Sequence, residues 1–444
     1  MQFPVMSNSL GSDGGMLTFA GRRVDVLAAK YGTPLIMYDE RVLRERCRTY
    51  RRAVQAGFPA GSTGFYANKA FCCSVMFRLL EEEGMSVDCA SGGELYAALH
   101  AGFPAERICL HGNNKLSGEL ELALDAKVGC VCVDNETELD MLQALCARRG
   151  CAQKITLRVT PGIDAHTFQK VLTGAVDSKF GIPIAGGGSS LAGNSGAAAA
   201  VRKAAGCANL RLAGIQCHIG SQIPDTDPYI QTAALMLEIM AGAEADGIHM
   251  EELTLGGGFG IKYVDGQESV DIAATIARLA EFMHSECARL GLAIPRVNFE
   301  PGRSVVGDAA LTLYTVGNVR ASGVDMDKIY VAIDGGMTDN PRYELYGAPY
   351  TVLNASKIGG ALSMRNVTLA GKLCESGDII QERLELPQTG PGDLIAVLCT
   401  GAYNYAMASN YNKIPRPAVI FADDDCDRHV IKRETYEDML RLDI

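Results

Sequence analysis

The chain has 444 residues, too many for one compact core of ordinary size, so one large and one smaller domain are expected. Apolar residues make up 48% and charged residues 21%, the proportions of an ordinary globular protein. A net charge of −11, with the acidic residues spread along the chain, argues against a nucleic-acid partner, whose phosphates need a basic surface.

The opening MQFPVMSNSLGSDGG lacks a basic segment followed by an apolar core, and no apolar run is long enough to span a bilayer. The fifteen cysteines include no C-x-x-C pair, which argues against structural zinc. Their odd number, without a leader, points to reduced thiols and a cytoplasmic protein with no membrane partner. Strand-like MLTFAG and PLIMY within residues 16–37 are followed by a helix that Asp39 can cap. Leu43, Cys47, Tyr50 and Val54 recur along it at helical spacing. Arg41, Arg44, Arg46, Arg48, Arg51 and Arg52 crowd the same segment and read as a solvated face before a phosphate patch.

A rhythm of short apolar strands and longer amphipathic segments follows. Strands are predicted near 63–67, 86–89, 107–111, 128–133, 154–159, 212–217, 252–256 and 296–300. Helical patterns over 71–83, 92–101, 117–126, 135–148, 227–246 and 270–290 separate them. Eight alternating strands and helices in this length predict a (β/α)8 TIM-type barrel over residues 38–307, with a doubly wound open sheet as the competitor. Residues 185–198 (AGGGSSLAGNSGAA) read as a flexible surface insertion without chemistry of its own. After residue 308, segments such as LTLYTVGNV, KIYVAID, NVTLAG and DLIAVL are strand-like, with no long helical pattern between them. Residues 1–37 and 308–444 therefore form a second, β-rich domain with a sandwich-like or barrel-like sheet.

Candidate chemistry gathers at the C-terminal ends of the predicted strands, which in a barrel open on one catalytic face. Lys69 follows strand one, Asp88 ends strand two, and His111 ends strand three. His218 follows strand six, Gly256, Gly257 and Gly258 follow strand seven, and Glu300 and Gly302 follow strand eight. Lys69 sits in the largely uncharged stretch FYANKAFCC, where a lysine whose ammonium form is disfavoured becomes nucleophilic toward an aldehyde. Taken alone, it equally reads as a lysine snorkelling from a strand end. LGGGFG and EPGRS place backbone amides on adjacent strands, at a common phosphate site of barrels. Each alone is a tight turn. Glu300 could keep a pyridine nitrogen protonated, and His218 could stack on a planar ring.

In the second domain, Cys374 stands beside Glu375. A neighbouring carboxylate disfavours a thiolate, so this thiol suits proton donation better than nucleophilic attack. Arg342 and Tyr346, with Tyr403, form a polar and aromatic set in which Arg342 is a candidate anchor for a substrate carboxylate. A domain contact is the plainer reading of each.

These motifs match a known family. The chain resembles the diaminopimelate decarboxylases, among the alanine-racemase-like (fold type III) enzymes that use pyridoxal 5′-phosphate (PLP). The resemblance runs from about residue 17 to about 440. It rests on GTPLIMYDE, YANKA, DCASGGEL, HGNNK, RVTPGIDAHTF with TGAVDSKFGI, HIGSQI, LGGGFG, EPGRS, DGGMTDNPRYELY, GKLCESGD and GAYNYAMASNYN. It implies that Lys69 holds the cofactor, with Ser221, Gly258, Gly302 and Tyr403 around its phosphate and Gly257 and Arg303 also binding the cofactor. Asp88 lies nearby, His218 packs on the ring, and Glu300 meets the ring nitrogen. Arg303, Arg342, Tyr346, Glu375 and Tyr403 would contact an amino-acid substrate. The site would be shared across a homodimer, with Cys374 of the partner subunit as proton donor. No metal is implied. The implied reaction is decarboxylation of meso-2,6-diaminopimelate at its D-centre to L-lysine, the last step of lysine biosynthesis.

Three features depart from the family pattern. Y-A-V-K-A-N reads YANKAF, with Asn68 before the lysine and Phe71 after it; R-V-N-P reads RVTP, with Thr160; and 185–198 is extra. The alternatives are decarboxylation of another basic amino acid or a carboxylated polyamine, a racemase, and a non-catalytic PLP-binding regulator, which would be expected to lose Lys69 or Cys374.

Overall fold

The computed structural model describes residues 3–163, 178–184, 196–323, 327–360 and 362–444. Of the motifs above, DAHTF, much of TGAVDSKFGI and the insertion up to residue 195 lie outside the described residues. The chain divides into two compact units: Arg46–Gly260 with Ser269–Ser304, and Met1–Glu45 with Ile261–Glu268 and Val305–Ile444.

Among the described residues, eight parallel strands of the first unit run in sequential order: β1 (Phe65–Ala67), β2 (Ser86–Cys89), β3 (Ile108–Leu110), β4 (Cys130–Val133), β5 (Gln153–Thr160), β6 (Leu210–Gln216), β7 (Glu252–Thr254) and β8 (Arg296–Asn298), and the two-residue strand Ile182–Pro183 pairs in parallel with the end of β5. β2 and β4 are buried at every position, as expected of strands covered on both faces. The sheet closes on itself. Phe65 N–H donates to Phe299 O at 2.7 Å, Phe299 N–H donates to Thr63 O at 3.1 Å, and Gly64 bridges Phe299 in parallel. That closure excludes the open doubly wound sheet and makes this unit a barrel.

Helices α1 (Glu40–Gly57), α2 (Ser74–Glu82), α3 (Gly92–His100), α4 (Ser117–Ala126), α5 (Glu136–Arg149), α6 (Gly196–Ala205), α7 (Asp227–Ala245) and α8 (Ile272–Leu290) accompany the strands. Their ends are written locally. Ser91, Asn135 and Asp271 accept the backbone N–H three residues on, and Gly150 and Gly291 close α5 and α8 in the left-handed region. Asp39 caps α1 through the amides of Arg41 and Val42. Leu43, Cys47, Tyr50 and Val54 are all fully buried. The arginines of this helix form the solvated face expected and are also paired on it: Arg48, exposed, makes two 2.8 Å bonds to Glu83, and Arg44 lies 2.8 Å from Glu40. The end of the 185–198 segment is not loop, since α6 starts at Gly196.

The second unit is β-rich. Its central strand, Ala310–Ser322, pairs antiparallel with Lys328–Ile333, Leu394–Leu398 and Leu35–Asp39, and the last of these pairs in parallel with Ala418–Ala422. Chain-terminal strands thus share one sheet, and their buried faces join one apolar core with Leu17, Phe19, Leu311, Leu313, Ile395 and Ile420. The sequence reading passed over a short helix, Val24–Tyr31, whose eight residues give too few turns for a clear period.

Candidate active site

Parallel register delivers the C-terminal ends of β1–β8 to one mouth of the barrel. After β1 the chain makes a single 3-10 turn, Asn68–Ala70, which buries Asn68 and Ala70 and leaves Lys69 exposed. The uncharged stretch around Lys69 therefore does not enclose it, contrary to expectation. Below it, Asn68 Nδ2 donates to Cys89 Sγ at 3.2 Å.

The floor of the mouth is a buried charged cluster. Glu300 is 8% exposed; its Oε2 accepts from Gln216 Nε2 at 2.8 Å, and its Oε1 lies 3.2 Å from His111 Nε2, an ion-pair contact poorly directed for a hydrogen bond. Asp88, buried on β2, adds a second carboxylate whose Oδ1 has no hydrogen-bond partner. Burial works against a charged imidazole at His111, but Asp88, Cys132 and Glu300 outweigh it and push its pKa well above the ordinary range. Burial likewise opposes the Glu300 carboxylate, and the close positive charge of His111, with the hydrogen bond from Gln216, holds it well below the usual range. Asp88 is pushed up by burial, with His111 resisting. Ligand atoms of these three residues lie within 4.8 Å of one another, a spacing a cation can also use. A protonated imidazole, however, has no lone pair for a metal.

Beside the floor stands His218, after β6. Gly257 N–H donates to its Nδ1 at 3.3 Å, so Nδ1 carries no proton. Burial, with the charges of Lys69 and Arg158, lowers its pKa, and the ring is neutral. The glycine rim allows no side chains. A Cβ on Gly257 would lie 2.1 Å from Glu300 O, and one on Gly258, where φ is +101°, would lie 2.3 Å from Gly220 O. Ile223 N–H donates to Gly258 O at 2.9 Å, tying HIGSQI to LGGGFG. Arg303, 8% exposed, donates from Nε to Ser221 Oγ at 3.1 Å. Gly302 packs so closely that its Cβ would lie 3.2 Å from those of Ala67 and Ala70.

The remaining candidates lie in the β-rich unit. The Arg342 guanidinium stacks 3.7 Å from the Tyr263 ring centre, with Nε buried and unpartnered, and Tyr346 ends the short helix that Arg342 begins. Tyr350 Oη bonds both Asn340 at 2.7 Å and Asn404 at 3.2 Å, joining the Arg342 loop to that of Tyr403. Cys374 and Glu375 are exposed. Cys374 N–H donates to Asn412 Oδ1 at 2.8 Å. Asp378 accepts from Met337 N–H at 2.7 Å and Leu373 N–H at 2.8 Å, so one buried carboxylate holds the loops on either side.

Sequence reasoning placed His111 at the mouth but gave it no role, and it passed over Gln216, Asp378 and Asn412. Gln216 had a signal: a polar residue ending the buried strand LRLAGIQ, two residues before His218.

The family model for the pyridoxal-binding domain of pyridoxal-dependent decarboxylases matches residues 40–307. The diaminopimelate decarboxylase of Bacillus subtilis (strain 168) is 44% identical over 433 residues, 97% of this chain and 95% of that one. That of Staphylococcus aureus (strain COL) is 42% identical over 428 residues, covering 96% and 97%. Among solved structures, diaminopimelate decarboxylase from M. jannaschii in complex with L-lysine has a TM-score of 0.88 at 29% identity, covering 99% of this chain and 98% of that one. The residues at the mouth fit PLP. They supply an exposed amine, a buried anionic carboxylate, a neutral imidazole and a glycine rim that any Cβ would fill. With the pyridoxal-domain match and full-length identity above 40% added to that fit, the chain belongs to the diaminopimelate decarboxylase family of PLP-dependent carboxy-lyases.

Proposed function

We propose that this enzyme decarboxylates meso-2,6-diaminopimelate at its D-centre, releasing carbon dioxide and L-lysine, and that it works as a cytoplasmic homodimer. The observation that carries the chemistry is Glu300, a buried carboxylate kept ionised at the floor of the barrel mouth. The substrate follows the activity for which the full-length relatives are named. None of the fifteen cysteines is joined in a disulfide, as a reducing compartment allows. No helix among the described residues is long and apolar enough to cross a membrane.

Bound at this site, the pyridine ring of PLP would supply an electron sink for the pair left by the departing carboxylate. Lys69 is the residue that would hold it covalently, and its exposure leaves the amine free to be replaced by a substrate amine. Ser221, Gly257, Gly258, Gly302 and Arg303 would hold the phosphate, with Tyr403. Glu300 holds a proton on the ring nitrogen, because a buried anion strongly favours a neighbouring N–H. His218, being neutral, can lie against a ring without adding charge. Arg342, with an unspent Nε, binds a substrate carboxylate, and Tyr346 and Glu375 contact the remainder. Cys374 of the partner subunit delivers the proton that replaces carbon dioxide.

The test is carbon dioxide release from meso-diaminopimelate with and without added PLP. Lys69→Ala is expected to abolish turnover and the visible absorbance of the bound cofactor together; survival of both sinks the assignment. A panel of lysine, ornithine and arginine should release no gas.

A further inference from the structure

Lys115 ends the motif HGNNK and has no role in the mechanism above. It is 4% exposed, and its Nζ uses all three donors: on Gly112 O at 2.9 Å, Cys132 O at 2.6 Å and Glu138 Oε1 at 2.7 Å. Glu138 is 3% exposed, in the first turn of α5. Burying such a pair is costly, and apolar side chains of similar size often serve stability as well. Its contacts indicate what it holds. Gly112 follows His111 directly, and its φ of +129° suits glycine. Its carbonyl is fixed by Lys115. The N–H of His111 is itself fixed on Cys89 O at 2.8 Å, so His111 is pinned on both sides. Cys132, whose carbonyl Lys115 also binds, places Sγ 3.8 Å from Gln216 Oε1, and Gln216 in turn donates to Glu300.

We infer that Lys115, braced by Glu138, is a positioning residue of the active site: it anchors the loop after β3 so that His111 meets Glu300 on one side while Gln216 meets it on the other. Lys115 acts only through these two neighbours. The inference rests on the proposed role of Glu300. The charged and titratable groups around His111 are Asp88 from β2, Cys132 from β4 and Glu300 after β8, and its charge also reaches Glu94 and His218.

The experiment compares holoenzyme of the parent, K115M and K115M/E138M with 15N-labelled histidine. The His111 resonance is identified by its loss in H111Q. K115M strands the Glu138 carboxylate and is expected to melt lower. The double variant replaces the pair with apolar side chains and is expected to melt above K115M but below the parent, since it no longer strands Glu138 yet still loosens His111 from its carboxylates. In the double variant the His111 titration should fall toward about 6.5 as the imidazole leaves its carboxylates. Turnover should drop roughly tenfold or more at nearly unchanged KM, as for a misplaced catalytic group. A folded double variant with parental His111 titration and parental turnover overturns the inference. The titration uses no substrate, so a failure of diaminopimelate as substrate would show in the gas assay alone and leave this result standing.

Discussion

Glu300 carries more of this site than any other side chain, and its environment makes a pH prediction. Its pKa is held below the ordinary carboxylate range, so its contribution to stability is complete above about 4.3, the unfolded value. That contribution is lost as pH falls through the folded value. His111, pushed upward, behaves oppositely: its contribution is complete below about 6.5 and is lost as pH rises through the folded value. Glu300→Gln keeps the shape and removes the charge. It is expected to cost about 3 kcal/mol at pH 6, because His111 loses its counter-charge, and to flatten the fall in stability between pH 5 and 3. Urea melts across that range check both, and turnover of the variant should fall at least about a hundredfold. At this scale the sequence revealed residues whose type and strand-end position coincide, such as Glu300 and His218. It did not reveal Gln216, because a glutamine shows its purpose only once its partner across the barrel is known.

Two elements match their predicted ranges: β2, apolar enough to be buried at every position, and α4, an amphipathic helix that buries Leu120 and Ala123. The predicted strand 252–256 is shorter, ending at Thr254, because Leu255 and Gly256 already belong to the glycine rim. That rim is a prediction in itself. Gly258→Ala puts a methyl 2.3 Å from Gly220 O at positive φ, and it is expected to cost about 2 kcal/mol and weaken PLP binding roughly tenfold. Gly266→Ala, also at positive φ but in open space, is the control and should cost about 1 kcal/mol with PLP affinity intact. Absorbance titration with PLP and thermal melts separate the two. In the β-rich unit, Asp378→Asn turns one acceptor into a donor facing a backbone N–H. A stability loss of about 2 kcal/mol is expected, with Cys374 alkylating faster as its loop loosens; mass spectrometry of iodoacetamide-treated protein measures the rate.

At the scale of the whole molecule, the shared site proposed for the dimer predicts complementation. Lys69→Ala and Cys374→Ala should each be inactive alone. Refolded together in equal amounts, they should regain about a quarter of parental activity, because half the dimers are mixed and each mixed dimer has one intact site. Mixtures that stay inactive, with mixed dimers demonstrated, would place Cys374 in its own subunit's site.

The sequence by itself determined the barrel's alternation, the β-rich remainder and the strand-end positions of Lys69, Asp88, His218 and Glu300. Periodicity and glycine punctuation are local properties and survive without coordinates. Only the tertiary structure decided that the sheet closes between Phe65 and Phe299, that Leu35–Asp39 lies between strands from the far end of the chain, that His111 and Gln216 converge on Glu300, and that Lys115 binds the carbonyls of Gly112 and Cys132 behind them. Those are contacts between residues tens to hundreds of positions apart, and burial there sets protonation states that residue type alone leaves open.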